Sequence, residues 1–167
     1  MSNRSPTVRT RAISIALAVS ALSSAAYGDD LRPYLNARFG SYALVPKDWP
    51  SLPPPENGDG LIFVSPDQRA RITVSGSFNL SPGDDGPVLS TQSADGFQPT
   101  YAKRGKGWAV ASGVKDGTII YRKTLTSCHG TISNDLDIEY PIAQKAAYNR
   151  LVGRIAASLA GGCGIYQ

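Results

Sequence analysis

Histidine, cysteine and methionine are nearly absent from this chain of 167 residues, which has one His, two Cys and one Met. One imidazole and two thiols exclude a zinc finger, an iron–sulfur cluster and a disulfide-dense scaffold. Charged residues make up 18% of the chain against 41% hydrophobic, which excludes a disordered polyampholyte. Beyond residue 28 no apolar run approaches the roughly 20 residues of a membrane span. There is no Gly-x-Ser-x-Gly nucleophile elbow. Gly105-Lys106-Gly107 by itself is no phosphate-binding loop. With no spaced His/Cys/Asp/Glu cluster, no metal and no cofactor is expected. What the chain does have is 17 Gly and 12 Pro, the mark of a turn-rich chain, at a length that suits one domain.

Residues 1–28 read as a secretory signal peptide. Arg4, Arg9 and Arg11 form a positive leader, Ala12 to Leu22 is apolar, and Ala26 and Gly28 set small residues before a cleavage point, with cleavage after Ala26 as the other choice. The apolar stretch is too short to span a bilayer. The expected mature domain is 29–167, periplasmic or secreted, with no stable membrane span after cleavage. Charge changes with it. The whole chain carries 17 Lys+Arg against 13 Asp+Glu, a net of +4. Removing three Arg and no acid leaves 14 basic residues against 13 acidic ones, a net of +1. The basic isoelectric point near 9.2 is thus largely a property of the leader, and bulk charge gives no support to nucleic-acid binding.

Along the mature chain, 29–38 reads as a polar lead-in, and Phe39 to Val45 as a strand or bent hairpin ended by Pro46. Pro53-Pro54-Pro55 and the turn residues Asn57 to Gly60 exclude regular structure and predict polyproline II. Leu61 to Ser65 and Ala70 to Phe78, joined by the turn Pro66-Asp67-Gln68-Arg69, predict a hairpin with Ile72 and Val74 on one face. Residues 79–100 are Gly/Pro-rich and read as loop. Trp108 to Val114 and Thr118 to Leu125 flank Lys115-Asp116-Gly117, a strong hairpin signal. Thr131 to Tyr140 alternates strictly: Ile132, Asn134, Leu136, Ile138 and Tyr140 share one face, and Ser133, Asp135, Asp137 and Glu139 share the other, expected to be solvated. Tyr148, Leu151, Val152, Ile155 and Leu159 then form one helical stripe, from Pro141 to a stop at Gly161-Gly162.

An even cysteine count in an exported chain predicts a disulfide, Cys128–Cys163. A strand from 131 to 140 is about 33 Å long at ~3.3 Å per residue, and a helix from 141 to 160 about 30 Å at ~1.5 Å per residue. A helix folded back antiparallel over the strand returns Cys163 to Cys128. The pair lacks the CxxC spacing of a redox site.

Chemistry-bearing residues are few. His129 sits in a Cys-His-Gly turn, and Ser127 or Ser133 with Asp135 would be its triad partners; an exposed turn residue is the plainer reading. Asp84-Asp85 and Asn57 to Gly60 lack the ordered ligand spacing of a calcium loop and read as turns. Tyr101 to Trp108 is the one basic–aromatic cluster. Its Lys103, Arg104, Lys106 and Trp108 are a candidate anion-binding loop, the plainer reading being a solvated loop whose Tyr101 and Trp108 anchor a strand.

Asn36-Ala37-Arg38-Phe39-Gly40, Glu56 to Gly60 leading into Phe63 and Ser65, Pro66-Asp67, Gly107 to Gly113, Ile120 to Lys123, Glu139-Tyr140-Pro141 and Arg154 to Leu159 together cover most of 36–160. In these segments the chain resembles a group of small, uncharacterised secreted or periplasmic proteins of alphaproteobacteria. Residues 79–100 depart from that group's pattern, which carries a helix there. The order of elements also resembles the PsbP-like α/β fold, whose domains are accessory or binding modules. Neither resemblance implies a catalytic residue.

The expected architecture is therefore a single α+β domain, an antiparallel β-sheet with a long C-terminal amphipathic helix packed on one face. Ile62, Phe63, Ile72, Val74, Trp108, Val110, Ile119, Tyr121, Leu136, Ile138, Leu151 and Ile155 are the expected core. The functional reading is a non-catalytic binding or accessory module of the cell envelope, whose partner is an envelope protein or anionic polymer and not nucleic acid. Two competing readings are a small periplasmic hydrolase using His129 or the acidic pair Asp135 and Asp137, and an immunity-type inhibitor of an envelope toxin.

Overall fold

The computed structural model describes residues 30–80 and 97–165. The signal-peptide segment, Asp84-Asp85 and most of the 79–100 segment therefore lie outside the described residues. Antiparallel strands dominate, and one α-helix, α1 (Lys145–Ser158), follows them. β1 (Leu31–Asn36) and β2 (Ser41–Pro46) form a two-stranded sheet. β3 (Gly60–Val64), β4 (Arg71–Phe78), β5 (Tyr101–Gly105), β6 (Trp108–Lys115), β7 (Thr118–Ser127) and β8 (Ile132–Pro141) form a six-stranded sheet in the order β3-β4-β8-β7-β6-β5.

The expected hairpins form where their turn residues stand. Ser65 Oγ and the Arg69 amide both donate to Asp67 Oδ1, at 2.6 and 3.1 Å, and close the β3–β4 turn. Lys115 pairs with Thr118 across Asp116-Gly117, both at positive φ (48° and 76°), the geometry whose twist matches flanking strands. β8 follows its predicted alternation, with Ile132, Asn134, Leu136, Ile138 and Tyr140 buried.

Four expectations need correction. The polar lead-in is strand β1, paired with β2 through a turn in which the Phe39 amide donates to Asn36 Oδ1 at 2.9 Å; the pairing outweighs its polar composition. The helix is shorter than its stripe: a 3-10 turn spans Ile142–Gln144, α1 ends at Ser158, and Ala160 has turned extended to bridge Tyr42. The second face of the sheet is not simply solvated, since Ala109, Ala111, Ile120 and Thr124 are buried there and buried Phe97 lies against Gly113. Trp108 is no core residue, being 37% exposed, and Ile62, Val110 and Tyr121 are only half-buried.

The core gathers Ala43 and Val45 of β2, Phe63, Ile72 and Val74 of the β3–β4 hairpin, Leu136, Ile138 and Tyr140 of β8, and the α1 stripe Tyr148, Leu151, Val152, Ile155 and Ala156. The Lys123 ammonium, on the same face of β7 as Tyr121, donates to the Ala156 carbonyl at 2.6 Å, one of the helix-end acceptors with no partner inside the helix. Among the described residues no helix is long and apolar enough to cross a membrane.

Candidate functional site

The basic–aromatic cluster is a hairpin, which corrects the loop expected there. Lys103 and Arg104 lie on β5, Lys106 and Gly107 make the turn, and Trp108 opens β6. Two features hold the hairpin. The Thr126 amide of β7 donates to the Gly107 carbonyl at 2.9 Å and fixes the turn. Across the first strand pair, the Trp108 indole lies over Gly105, where an added Cβ would stand 2.4 Å from Nε1, so only glycine admits the ring. Tyr101, Lys103 and Gly105 share the face of Trp108, while Arg104 points to the opposite face.

Tyr101, Lys103, Arg104, Lys106 and Trp108 are all exposed, Tyr101 by 50%. Tyr101 therefore anchors nothing in the core. Its ring instead receives the Lys103 ammonium at 5.9 Å. The structure thus gathers the predicted anion-binding residues on one hairpin, with cations on both faces and at the tip. The reason the rings stay exposed is position: β5 is the last strand of the sheet and contributes nothing to the core cluster.

The other candidate residues are dispersed. Cys128 and Cys163 form the predicted disulfide, with Cα atoms 4.8 Å apart. His129 is exposed in the Cys128–Gly130 turn at φ 56°. Ser127, its nearest imagined partner, instead donates to the Gly162 carbonyl at 2.6 Å and accepts from Asn134 Nδ2 at 2.8 Å. Asp135 and Asp137 lie side by side on the face away from the core. The Thr124 hydroxyl donates to Asp135 at 2.6 Å, and Arg122 pairs with Asp137 at 3.1 Å while its guanidinium stacks on Phe97 at 5.0 Å. Burial raises both carboxyls above their usual range. Asp137 is pushed up to about 6, with Arg122 pulling it down and Asp135 and Glu139 adding to the rise. Glu56 and Asn57 form a turn that leads into β3 at Gly60, with Gly58 donating to the Pro55 carbonyl, Asn57 Nδ2 to Asp59 and Asn36 Nδ2 to the Gly58 carbonyl. Among the described residues no group of His, Cys, Asp and Glu is placed to hold a metal.

Sequence reasoning missed two features. One is an open cleft of about 510 Å³ between Leu52, Pro53 and Pro55 on one side and Leu61, Ile62, Thr73 and Ser75 on the other. The other is a buried polar cluster: Ser41 donates to Asn134 Oδ1 at 2.8 Å, and Asn134 Nδ2 reaches Ser127 and the Leu125 carbonyl. An asparagine in the inward phase of β8 was the available signal for that cluster.

An antiparallel sheet followed by a C-terminal helix makes this an α+β domain. The solution structure of cyanobacterial PsbP (CyanoP) from Synechocystis sp. PCC 6803 matches with a TM-score of 0.56 at 13% identity, covering 87% of this chain and 98% of that one. At that identity the likeness shows the fold alone. A crystal structure from Bacteroides thetaiotaomicron VPI-5482 matches at a TM-score of 0.42 and 18% identity, over 72% of this chain and 44% of that one. No protein-family model matches the chain. No curated protein matches it either.

Proposed function

We propose that the protein is an exported, non-catalytic binding or accessory module of the cell envelope, and that the β5–β6 hairpin is its anion-binding site. In this reading residues 1–28 are the export signal, 29–167 are the mature periplasmic or secreted domain, and α1 covers one face of the six-stranded sheet. The partner is an envelope protein or anionic polymer. The Cys128–Cys163 disulfide supports an oxidising compartment. The PsbP-like fold supports an accessory role by analogy. Kinship with the secreted alphaproteobacterial group rests on the motifs quoted above.

The observation that carries the reading is local. A near-neutral domain places Lys103, Arg104 and Lys106 together on one exposed hairpin, beside two exposed rings, Tyr101 and Trp108. The cations attract an anionic group, and the exposed rings beside them offer it apolar contact area. The test is retention of envelope components by the immobilised mature protein. Reversal of the three charges (K103E, R104E, K106E) is expected to abolish retention. A charge-matched control at exposed Lys47, Arg69 and Lys145 is expected to keep it. Equal loss in both proteins would show that only net charge matters and would overturn the assignment of the site.

A further inference from the structure

The two edges of the six-stranded sheet are treated differently. At one end, β3 is covered: Leu52 donates to the Ile62 carbonyl at 2.8 Å, Val64 donates to the Pro50 carbonyl at 3.0 Å, and Ser51 bridges Phe63. At the other end lies β5, with Tyr101 to Arg104 exposed and no strand or strap paired to its far side among the described residues.

The backbone groups on that side can be identified. Lys106-Gly107 is a two-residue turn, so Gly105 and Trp108 are the pair that exchange bonds across it. Two contacts fix the same phase. The Thr126 amide donates to the Gly107 carbonyl, which leaves Trp108, Val110 and Ser112 turned toward β5. The Thr100 amide donates to the Ser112 carbonyl, as in a bulge beside a bonded Tyr101–Ser112 pair. Ala102 and Arg104 consequently aim their N–H and C=O groups away from β6. Natural proteins cover such an edge, break it with proline, or blunt it with shortness and lysine. This one is short and bears cations beside exposed Tyr101, a protection that an acidic strand alone turns into attraction. Lys103 lies on one face, Arg104 on the other and Lys106 at the tip, so they repel a basic strand and attract an acidic one.

We propose that β5 accepts an extended acidic segment of a partner protein as a seventh strand. The backbone of that segment pairs with Ala102 and Arg104, and its carboxylates meet Lys103 and Arg104 on alternate faces. The proposal rests on the hairpin being the anion site and adds the form the anion takes. Its probe is an end-capped peptide of about eight residues, Glu-Glu-Val-Val repeated, which puts carboxylates on both faces of a strand of that length. The mature, oxidised protein is expected to bind it and to slow hydrogen exchange at the Ala102 and Arg104 amides. The same peptide N-methylated at every residue keeps its charge but loses its donors on both edges, and its affinity is expected to fall about tenfold or more. Ala102→Pro removes an outward N–H that β6 does not use, and is expected to weaken the unmodified peptide similarly.

Equal binding of the methylated peptide, or unchanged exchange at both amides, would overturn strand addition while leaving anion binding by the hairpin in place. Tighter binding of phosphatidylglycerol vesicles, in competition with the peptide, would overturn it in favour of a lipid surface. Peptide binding that survives K103E, R104E and K106E together would overturn both the strand and the site. The methylated-peptide comparison uses the unaltered protein, so it stands even if Ala102→Pro fails to fold.

Discussion

Asn134 is fully buried, and its amide is shared between two serines and a carbonyl. Its setting leaves little room for a larger side chain, because Gly161 approaches so closely that a Cβ there would meet Asn134 Nδ2 at 2.2 Å. Asn134→Ala leaves the buried Ser41 hydroxyl without its acceptor and takes a donor from Ser127 Oγ. It is expected to cost about 2–3 kcal/mol of stability in urea unfolding. Asp137 behaves differently because its side chain is 37% exposed and its carboxyl is pushed up from 3.8 to about 6. Between those two values the folded protein holds a proton that the unfolded chain has lost, so stability falls as pH rises across that interval. Above about 6 the penalty is complete. Asp137→Asn is therefore expected to gain stability relative to the parent when thermal unfolding is repeated from pH 4 to pH 8, with the gain appearing only on the alkaline side. A difference that is flat with pH would mean that pairing with Arg122 offsets the burial.

At the scale of elements, the disulfide, the Gly162 carbonyl and the Ala160–Tyr42 bridge fasten the segment after α1. The Cys128–Cys163 bond joins residues separated by 35 positions, and the chain-entropy account gives such a loop about 3–4 kcal/mol. Replacing both cysteines by serine is expected to lower the free energy of unfolding by about that amount, and the parent with reductant should match the variant in the same urea titration. The elements that sequence disclosed best were those with period and punctuation together: the β3–β4 hairpin, the Asp116-Gly117 turn, β8 and the α1 stripe. β1 was hidden because its composition is polar and its pairing with β2 supplies what propensity does not. The Lys103–Trp108 hairpin was hidden for a related reason. An edge strand needs no apolar face, so it leaves no alternation to read. Its cluster of cations and rings was legible, its secondary structure was not. The proline-lined cleft arises from a strap folding beside β3, a contact between segments that no local pattern encodes.

For the whole molecule, the small net charge of the segment beyond residue 28 matters less than its distribution. The acidic residues of β8 lie on the face away from the core, and the cations of the hairpin lie at the β5 end of the sheet. At physiological ionic strength a field of one charge is screened within about 8 Å, so the hairpin acts on what touches it and steers little from afar. Binding through it is accordingly expected to weaken with added salt, and to do so less in the charge-reversed protein than in the parent.

The bridge between Tyr42 and Ala160 also imposes an order of events. Ribosomes deliver β1 and β2 long before the residues that cover them, since the partners of Tyr42 and Leu44 are Ala160 and Ser158. The β1–β2 hairpin pairs within itself, and the backbone groups of Tyr42 and Leu44 gain their partners only once the distal segment has been made.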